Sequence, residues 1–201
     1  MRRILATVFG SLLLILVGSA HAQVATGDIA PLFTLMDTNG QEVSLDQYKG
    51  KFVVLEWFNY DCPFVVKHYS QGNMQGLQKK YTAKDVVWLA INSSAEGKQG
   101  HYPPEQMNAL AKERGAAPTA ILLDPTGKVG QMYGAKTTPH MFVIDPKGAV
   151  VYQGAIDDKP SADPADIATS VNFLSKALDE AMAGKAVEQT TTKSYGCSVK
   201  Y

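Results

Sequence analysis

The chain has 201 residues, of which 45% are hydrophobic and 19% charged, and its lysines and arginines equal its aspartates and glutamates in number. That length supports one compact domain with a full apolar core, and the balanced charge argues against a nucleic-acid or anionic-membrane partner. Two cysteines occur, Cys62 and Cys197, so at most one disulfide within the chain is available.

Residues 1–22 carry Arg2 and Arg3, an apolar stretch from Ile4 to Val17, and Ala20-His21-Ala22 as an A-x-A cleavage site. This is the pattern of a secretory signal peptide rather than of a spanning helix. The expectation is a periplasmic protein cut after Ala22, with no stable membrane insertion afterwards. Residues 32–36 and 42–45 flank Asp37-Thr38-Asn39-Gly40 and predict an N-terminal hairpin. Residues 51–58 form a β-rich apolar run, and Pro63 then suits a first helical position. Val66, Tyr69, Leu77 and Tyr81 share one helical face, although Gly72 and Gly76 argue against a single unbroken helix.

Residues 86–92 are apolar enough for a central strand, and Pro103-Pro104 open a helix with Met107, Leu110 and Ala111 inward. Residues 120–123 predict a further strand, ended by Asp124-Pro125-Thr126-Gly127. Thr137-Thr138-Pro139-His140 leads into an apolar strand, the turn Asp145-Pro146-Lys147-Gly148, and a second strand through Tyr152. Asp163 and Pro164 open a last helix whose stripe is Ile167, Val171, Leu174 and Leu178, with Gly184 ending it. The organisation is a signal peptide over 1–22, one α/β domain over 23–184, and a tail over 185–201 that carries Cys197 and that no periodicity constrains.

Cys62 sits where a strand hands over to a helix. Free backbone N–H groups and the helix dipole stabilise a thiolate there, which makes Cys62 the best candidate nucleophile. The same placement also suits a buried structural cysteine, since free Cys packs as a small hydrophobe. Strand, cysteine, helix and a later Thr-Pro opening a hairpin resemble the thioredoxin superfamily. The resemblance implies a three-layer α/β/α sandwich with a mixed central sheet, a cis bond before Pro139, and Thr138 facing Cys62. The opening from Gly27 to Lys51, the segment Asn59-Tyr60-Asp61-Cys62-Pro63-Phe64-Val65 and the ending Tyr195-Gly196-Cys197 resemble a peroxiredoxin-like branch. Members of that branch often carry Cys-x-x-Cys-Pro at the site. Asn59 stands in place of the first cysteine, and Cys62 matches the second.

Two departures from true peroxiredoxins follow. Leu55 and Asn59 occupy the positions of the family's Pro and Thr, so the hydroxyl that polarises the peroxide is missing, and the sole arginine after Arg3 is Arg114. Peroxidase activity is therefore expected to be weak. With no second cysteine near Cys62, dithiol exchange within one motif is excluded; Cys197 is the candidate resolving thiol or disulfide partner, the alternatives being a free thiol in the tail and resolution of Cys62 by an external thiol. Closing a loop of that length stabilises by roughly 4 to 5 kcal/mol in the chain-entropy model. Glu56, the only charge in its strand, is either a proton acceptor for the thiol or a residue at a solvated edge or paired with a lysine. His140 follows the Thr-Pro and is a second candidate to approach the thiol, whereas His68, six residues past Cys62, faces elsewhere.

The expected function is an exported thiol oxidoreductase that takes a peroxide or a disulfide as substrate and an external thiol as reductant, with no cofactor and no metal. Two rivals remain at this point. One is a copper-handling protein using Cys62, Cys197 and His140, atom types suited to Cu(I). The other is a redox-inert adapter presenting Trp57, Phe58, Tyr60 and Phe64 as a binding surface, although aromatics beside a strand end also suit the core.

Overall fold

The structure, a computed structural model, describes residues 23–201, so the expected signal peptide lies outside the described residues. The hairpin forms from β1 (Thr34–Asp37) and β2 (Glu42–Ser44). Asp37 organises the turn by accepting from the backbone N–H groups of Asn39 and Gln41. Then follow β3 (Val53–Trp57), α1 (Pro63–Ser70), α2 (Asn73–Thr82), β4 (Val87–Asn92), α3 (Pro104–Glu113) and β5 (Ala120–Leu123). The remaining elements are α4 (Lys128–Tyr133), β6 (Thr137–Thr138), β7 (His140–Ile144), β8 (Val150–Gly154), α5 (Phe173–Met182) and β9 (Cys197–Ser198).

Seven strands make one mixed sheet in the order β2-β1-β5-β4-β3-β7-β8. β3, β4 and β5 run parallel to one another, while β7, β8, β1 and β2 are antiparallel to their neighbours. The adjacent interior strands β4, β3 and β7 are buried at every position, as runs covered on both faces must be. Period-two alternation sorts their side chains. Val54, Trp88, Ala90, Met141 and Val143 join the core under α1, α2, α3 and α5. Val53, Leu55, Trp57, Leu89, Ile91 and Phe142 join the opposite core, closed by α4 and the N-terminal stretch.

Several sequence expectations need correction. Gly72, in the left-handed region at φ 70, separates α1 from α2, but Gly76 lies inside α2 without breaking it. Val66 is exposed, and Val65 takes the inward position on α1. The last helix is two pieces: Asp163 caps a short 3-10 turn over Pro164–Thr169, and Asn172 caps α5 by accepting from Ser175 N. Val171 therefore lies exposed, while Leu174 and Leu178 reach the core. Helix α4, held between left-handed Gly127 and Gly134, carries no amphipathic signal of its own length in the sequence.

The tail is the largest difference from the expectation of an unconstrained segment. Thr190 and Thr192 hydrogen-bond along Gln153 of β8, and the Thr192 hydroxyl accepts from Ala155 N at 2.9 Å. The chain then crosses to the Cys62 end of the sheet, where β9 pairs antiparallel with β6. Tyr201 closes it, donating to Ala135 O at 2.7 Å in a niche that Cβ atoms at Gly127 or Gly130 would fill.

Candidate active site

Cys62 is the N-cap residue of α1, with Pro63 at the first helical position. Its N–H is held by Asn59 O at 3.0 Å, and its own carbonyl accepts from Val65 and Val66 N. The thiol is fully buried. Across from it runs Thr137-Thr138, followed by a cis bond to the buried Pro139. When protonated, Cys62 Sγ donates to Thr138 O at 3.0 Å. The Thr138 hydroxyl is buried beside it and has no hydrogen-bond partner among the described residues.

β9 brings the tail cysteine to the same place, because Thr138 pairs in register with Cys197. Both cysteines are free, and Cys197 stands opposite Thr138, whose carbonyl oxygen lies 3.0 Å from Cys62 Sγ. Burial pushes Cys62 up, but hydrogen bonds from the Cys197 thiol, from Thr138 and from the backbone N–H groups of Cys197 and Val65 outweigh it and hold Cys62 below the usual cysteine value. Cys197 moves the other way, to about 11, through burial and then through its hydrogen bond to Cys62 and the charge there. One proton thus serves two sulfurs, and the negative charge resides on Cys62.

Gly196 makes this approach possible. It sits at φ 123, and a Cβ there would collide with the Thr138 carbonyl oxygen.

Asn59 does not reach for a substrate. Its Oδ1 accepts from Asp61 N at 2.8 Å and its Nδ2 donates to Gln99 O, which sets the loop that presents Cys62. Asp61 in turn accepts from Tyr102 OH at 2.7 Å. Trp57 lies in the opposite core, donating to Ser93 Oγ at 3.1 Å. Trp57, Phe58 and Tyr60 are all buried and Phe64 partly so, hence they form no exposed aromatic surface. Arg114 stacks 4.8 Å over the Tyr60 ring and donates to Tyr60 O.

His140 is also turned away. It pairs with Trp57 in the sheet and follows the face of Phe142, whose ring lies 4.6 Å from its own. Its Nδ1 accepts from Lys136 N, and burial followed by the Lys136 charge lowers its pKa to about 4. No three His, Cys, Asp or Glu side chains converge on a possible metal among the described residues.

Glu56 is neither at an edge nor paired with a lysine. It is fully buried and accepts from Trp88 Nε1 at 2.7 Å, Gln78 Nε2 at 3.1 Å and Tyr69 OH at 3.2 Å. Three neutral donors replace the missing cation. Burial raises its pKa to about 7, the hydrogen bonds opposing it.

A second cluster is not among the expectations from the sequence. Lys67, His68 and Asp157 are fully buried together, with Lys67 Nζ 3.8 Å and His68 Nε2 4.0 Å from Asp157 Oδ2. Tyr195, two residues before Cys197, donates to Asp157 Oδ1. A Lys-His pair one turn into an otherwise apolar helix was the available signal, but nothing in the spacing pointed to Asp157 or Tyr195.

A seven-stranded mixed sheet under helices, with a helix-capping cysteine facing a cis-proline loop, defines a thioredoxin-superfamily protein of the peroxiredoxin-like kind. Within that class the chain belongs to the Redoxin family, which it matches over residues 25–171. It is 31% identical over 127 residues to the thiol-disulfide oxidoreductase ResA of Geobacillus thermodenitrificans, covering 63% of this chain and 67% of that one. To the chloroplastic peroxiredoxin Q of Triticum aestivum it is 29% identical over 143 residues, 67% of this chain and 61% of that one. The chain thus spans about two thirds or less of these relatives' lengths. Among solved structures, an uncharacterized conserved protein from Geobacillus kaustophilus superimposes with a TM-score of 0.74 at 30% identity, covering 88% of this chain and 92% of that one.

Proposed function

We propose that this protein is an exported thiol oxidoreductase in which Cys62 is the nucleophile and Cys197 the resolving thiol. The observation that carries the reading is the register of β9 on β6, which sets Cys197 opposite Thr138, the residue whose carbonyl oxygen lies 3.0 Å from Cys62 Sγ. Helix start, Thr138 and the Cys197 thiol all favour negative charge on Cys62. Cys62 thiolate attacks a substrate disulfide and releases one thiolate; Cys197 then attacks the Cys62 sulfur, forming the Cys62–Cys197 disulfide and releasing the second substrate thiol. An external dithiol restores the pair.

Disulfide exchange is favoured over peroxide reduction because the peroxide-polarising groups are absent from the site. Asn59 is occupied by Asp61 N and Gln99 O, and Arg114 is turned onto Tyr60, stacking on its ring and donating to its carbonyl through Nη2, while its buried Nη1 has no partner among the described residues. The proposed organisation is a signal peptide cleaved after Ala22, a thioredoxin-like domain over 23–184 and a functional tail over 185–201. In the described part no helix is long and apolar enough to cross a membrane.

The test is turnover of a peptide disulfide and of hydrogen peroxide by the mature chain, with intact mass after oxidation. The expected result is an intramolecular disulfide lost in both Cys62→Ser and Cys197→Ser. Turnover that survives Cys62→Ser would refute the assignment.

A further inference from the structure

The tail approaches the thiols through a socket that the chemistry at Cys62 does not itself use. Tyr195 OH donates to Asp157 Oδ1 and lies 3.4 Å from His68 Nε2. Its ring meets Phe64 edge-on at 5.9 Å, and Lys67 Nζ stands 5.7 Å from its centroid. Lys67 is tied further by Lys159 O at 2.9 Å, Asp157 Oδ1 accepts from Lys159 N at 3.0 Å, and His68 Nδ1 meets Asn73 Nδ2 at 2.8 Å. Burial, only partly offset by Asp157, lowers the His68 pKa to about 4, so at neutral pH the ring is uncharged.

Sealing a lysine and an aspartate from water is costly, and an apolar set of similar volume is often as stable or more so. What the cluster supplies instead is direction. Lys67, His68 and Phe64 all belong to α1, the helix that Cys62 caps, so the socket and the nucleophile form one rigid body. Tyr195 is attached to that body two residues before Cys197, and Gly196 between them passes close over the Thr138 carbonyl.

We propose that Tyr195 is a positioning residue, whose hydroxyl in the Asp157 socket sets Cys197 against Cys62 for the resolving step. The proposal rests on the reading of Cys197 as the resolving thiol. In that step the Cys197 sulfur bonds to the Cys62 sulfur; from a mixed disulfide the substrate sulfur leaves with the electron pair and takes up a proton, and from a sulfenic acid the hydroxyl leaves as water with the Cys197 proton. Cys197 is a reluctant nucleophile while Cys62 is charged. Oxidising Cys62 removes that charge, and what then limits the rate is how often the tail holds Cys197 in line.

The experiment uses the mature chain, wild type and Tyr195→Phe, which deletes one oxygen from a partly exposed residue and leaves the ring packing. After one equivalent of dithiodipyridine has loaded Cys62 as a mixed disulfide, Cys62–Cys197 disulfide formation is followed by release of the second thiopyridone and by mass, and the pyridyl adduct left on Cys62 is quantified by mass. Disulfide formation in Tyr195→Phe should fall roughly ten- to a hundredfold, as for loss of one hydrogen bond to a charged group, and the adduct on Cys62 should accumulate. In a Cys197→Ser background, Tyr195→Phe should leave the iodoacetamide rate of Cys62 unchanged. Equal disulfide rates in wild type and Tyr195→Phe overturn the positioning role alone. A changed Cys62 rate in the Cys197→Ser background shows a general disturbance of the site and also overturns it. If the wild type forms no Cys62–Cys197 disulfide, the resolving role of Cys197 falls, and the proposal with it.

Discussion

Replacing Glu56 by Gln should abolish the pH dependence that this one buried group gives to stability. In the folded chain the carboxyl is fully buried with neutral donors and its pKa rises from 4.5 to about 7; in the unfolded chain it returns to its ordinary value. Between those two values the folded state binds the proton and the unfolded state does not, so stability falls as pH rises from about 4.5 to about 7 and levels off above. The gap of about 2.5 units corresponds to roughly 3 kcal/mol, at about 1.4 kcal/mol per unit. Gln keeps one acceptor oxygen for Trp88 Nε1 and Gln78 Nε2, which share a single Glu56 oxygen, but turns its N–H₂ toward the Tyr69 hydroxyl, which loses its acceptor. A constant penalty of about 1 to 3 kcal/mol for that lost acceptor is expected at every pH. Urea unfolding of both proteins between pH 4.5 and 8 separates the two effects. The wild type should lose about 3 kcal/mol relative to Glu56→Gln across that range. A stability difference that is flat with pH would show that the carboxyl stays ionised when folded and would refute the account of its environment.

Three further outcomes are expected. Gly196→Ala should force β9 off β6, slowing disulfide formation at least tenfold and costing about 1 to 3 kcal/mol of stability; mass after oxidation and urea unfolding measure the two. Ultraviolet thiolate absorbance should show one proton leaving below the usual cysteine value and the second only near 11 in the wild type, while Cys197→Ser, which still offers a hydroxyl donor, should keep the first step alone; two overlapping steps near the usual value would contradict the shared proton. His140→Phe should leave disulfide turnover within a factor of about two of wild type, since its ring packs on Phe142 away from the thiols, and a large loss would return His140 to the site.

The sequence by itself determined the strands, because runs at residues 53–57 and 87–92 that are apolar except for Glu56 and Asn92 can be buried on both faces only in the middle of a sheet. It also determined Cys62, since a strand end, a cysteine and a helix-starting proline are adjacent in the chain and their chemistry is local. The partner of Cys62 was nameable by elimination, there being one other cysteine, but its register against Thr138 was not. That register depends on Gly196 passing Thr138, on Tyr195 docking in a socket built from α1 and Asp157, and on Tyr201 entering a niche at two glycines of another helix. None of these contacts has a period or a spacing, because each joins segments far apart in sequence. The same reason hid the state of Glu56 and His140. A strand's alternation says that two residues face opposite sides, but the covering helices decide what each side holds: for Glu56 a sealed site with neutral donors and no cation, where burial lifts its pKa to about 7, and for His140 an apolar layer remote from the thiols.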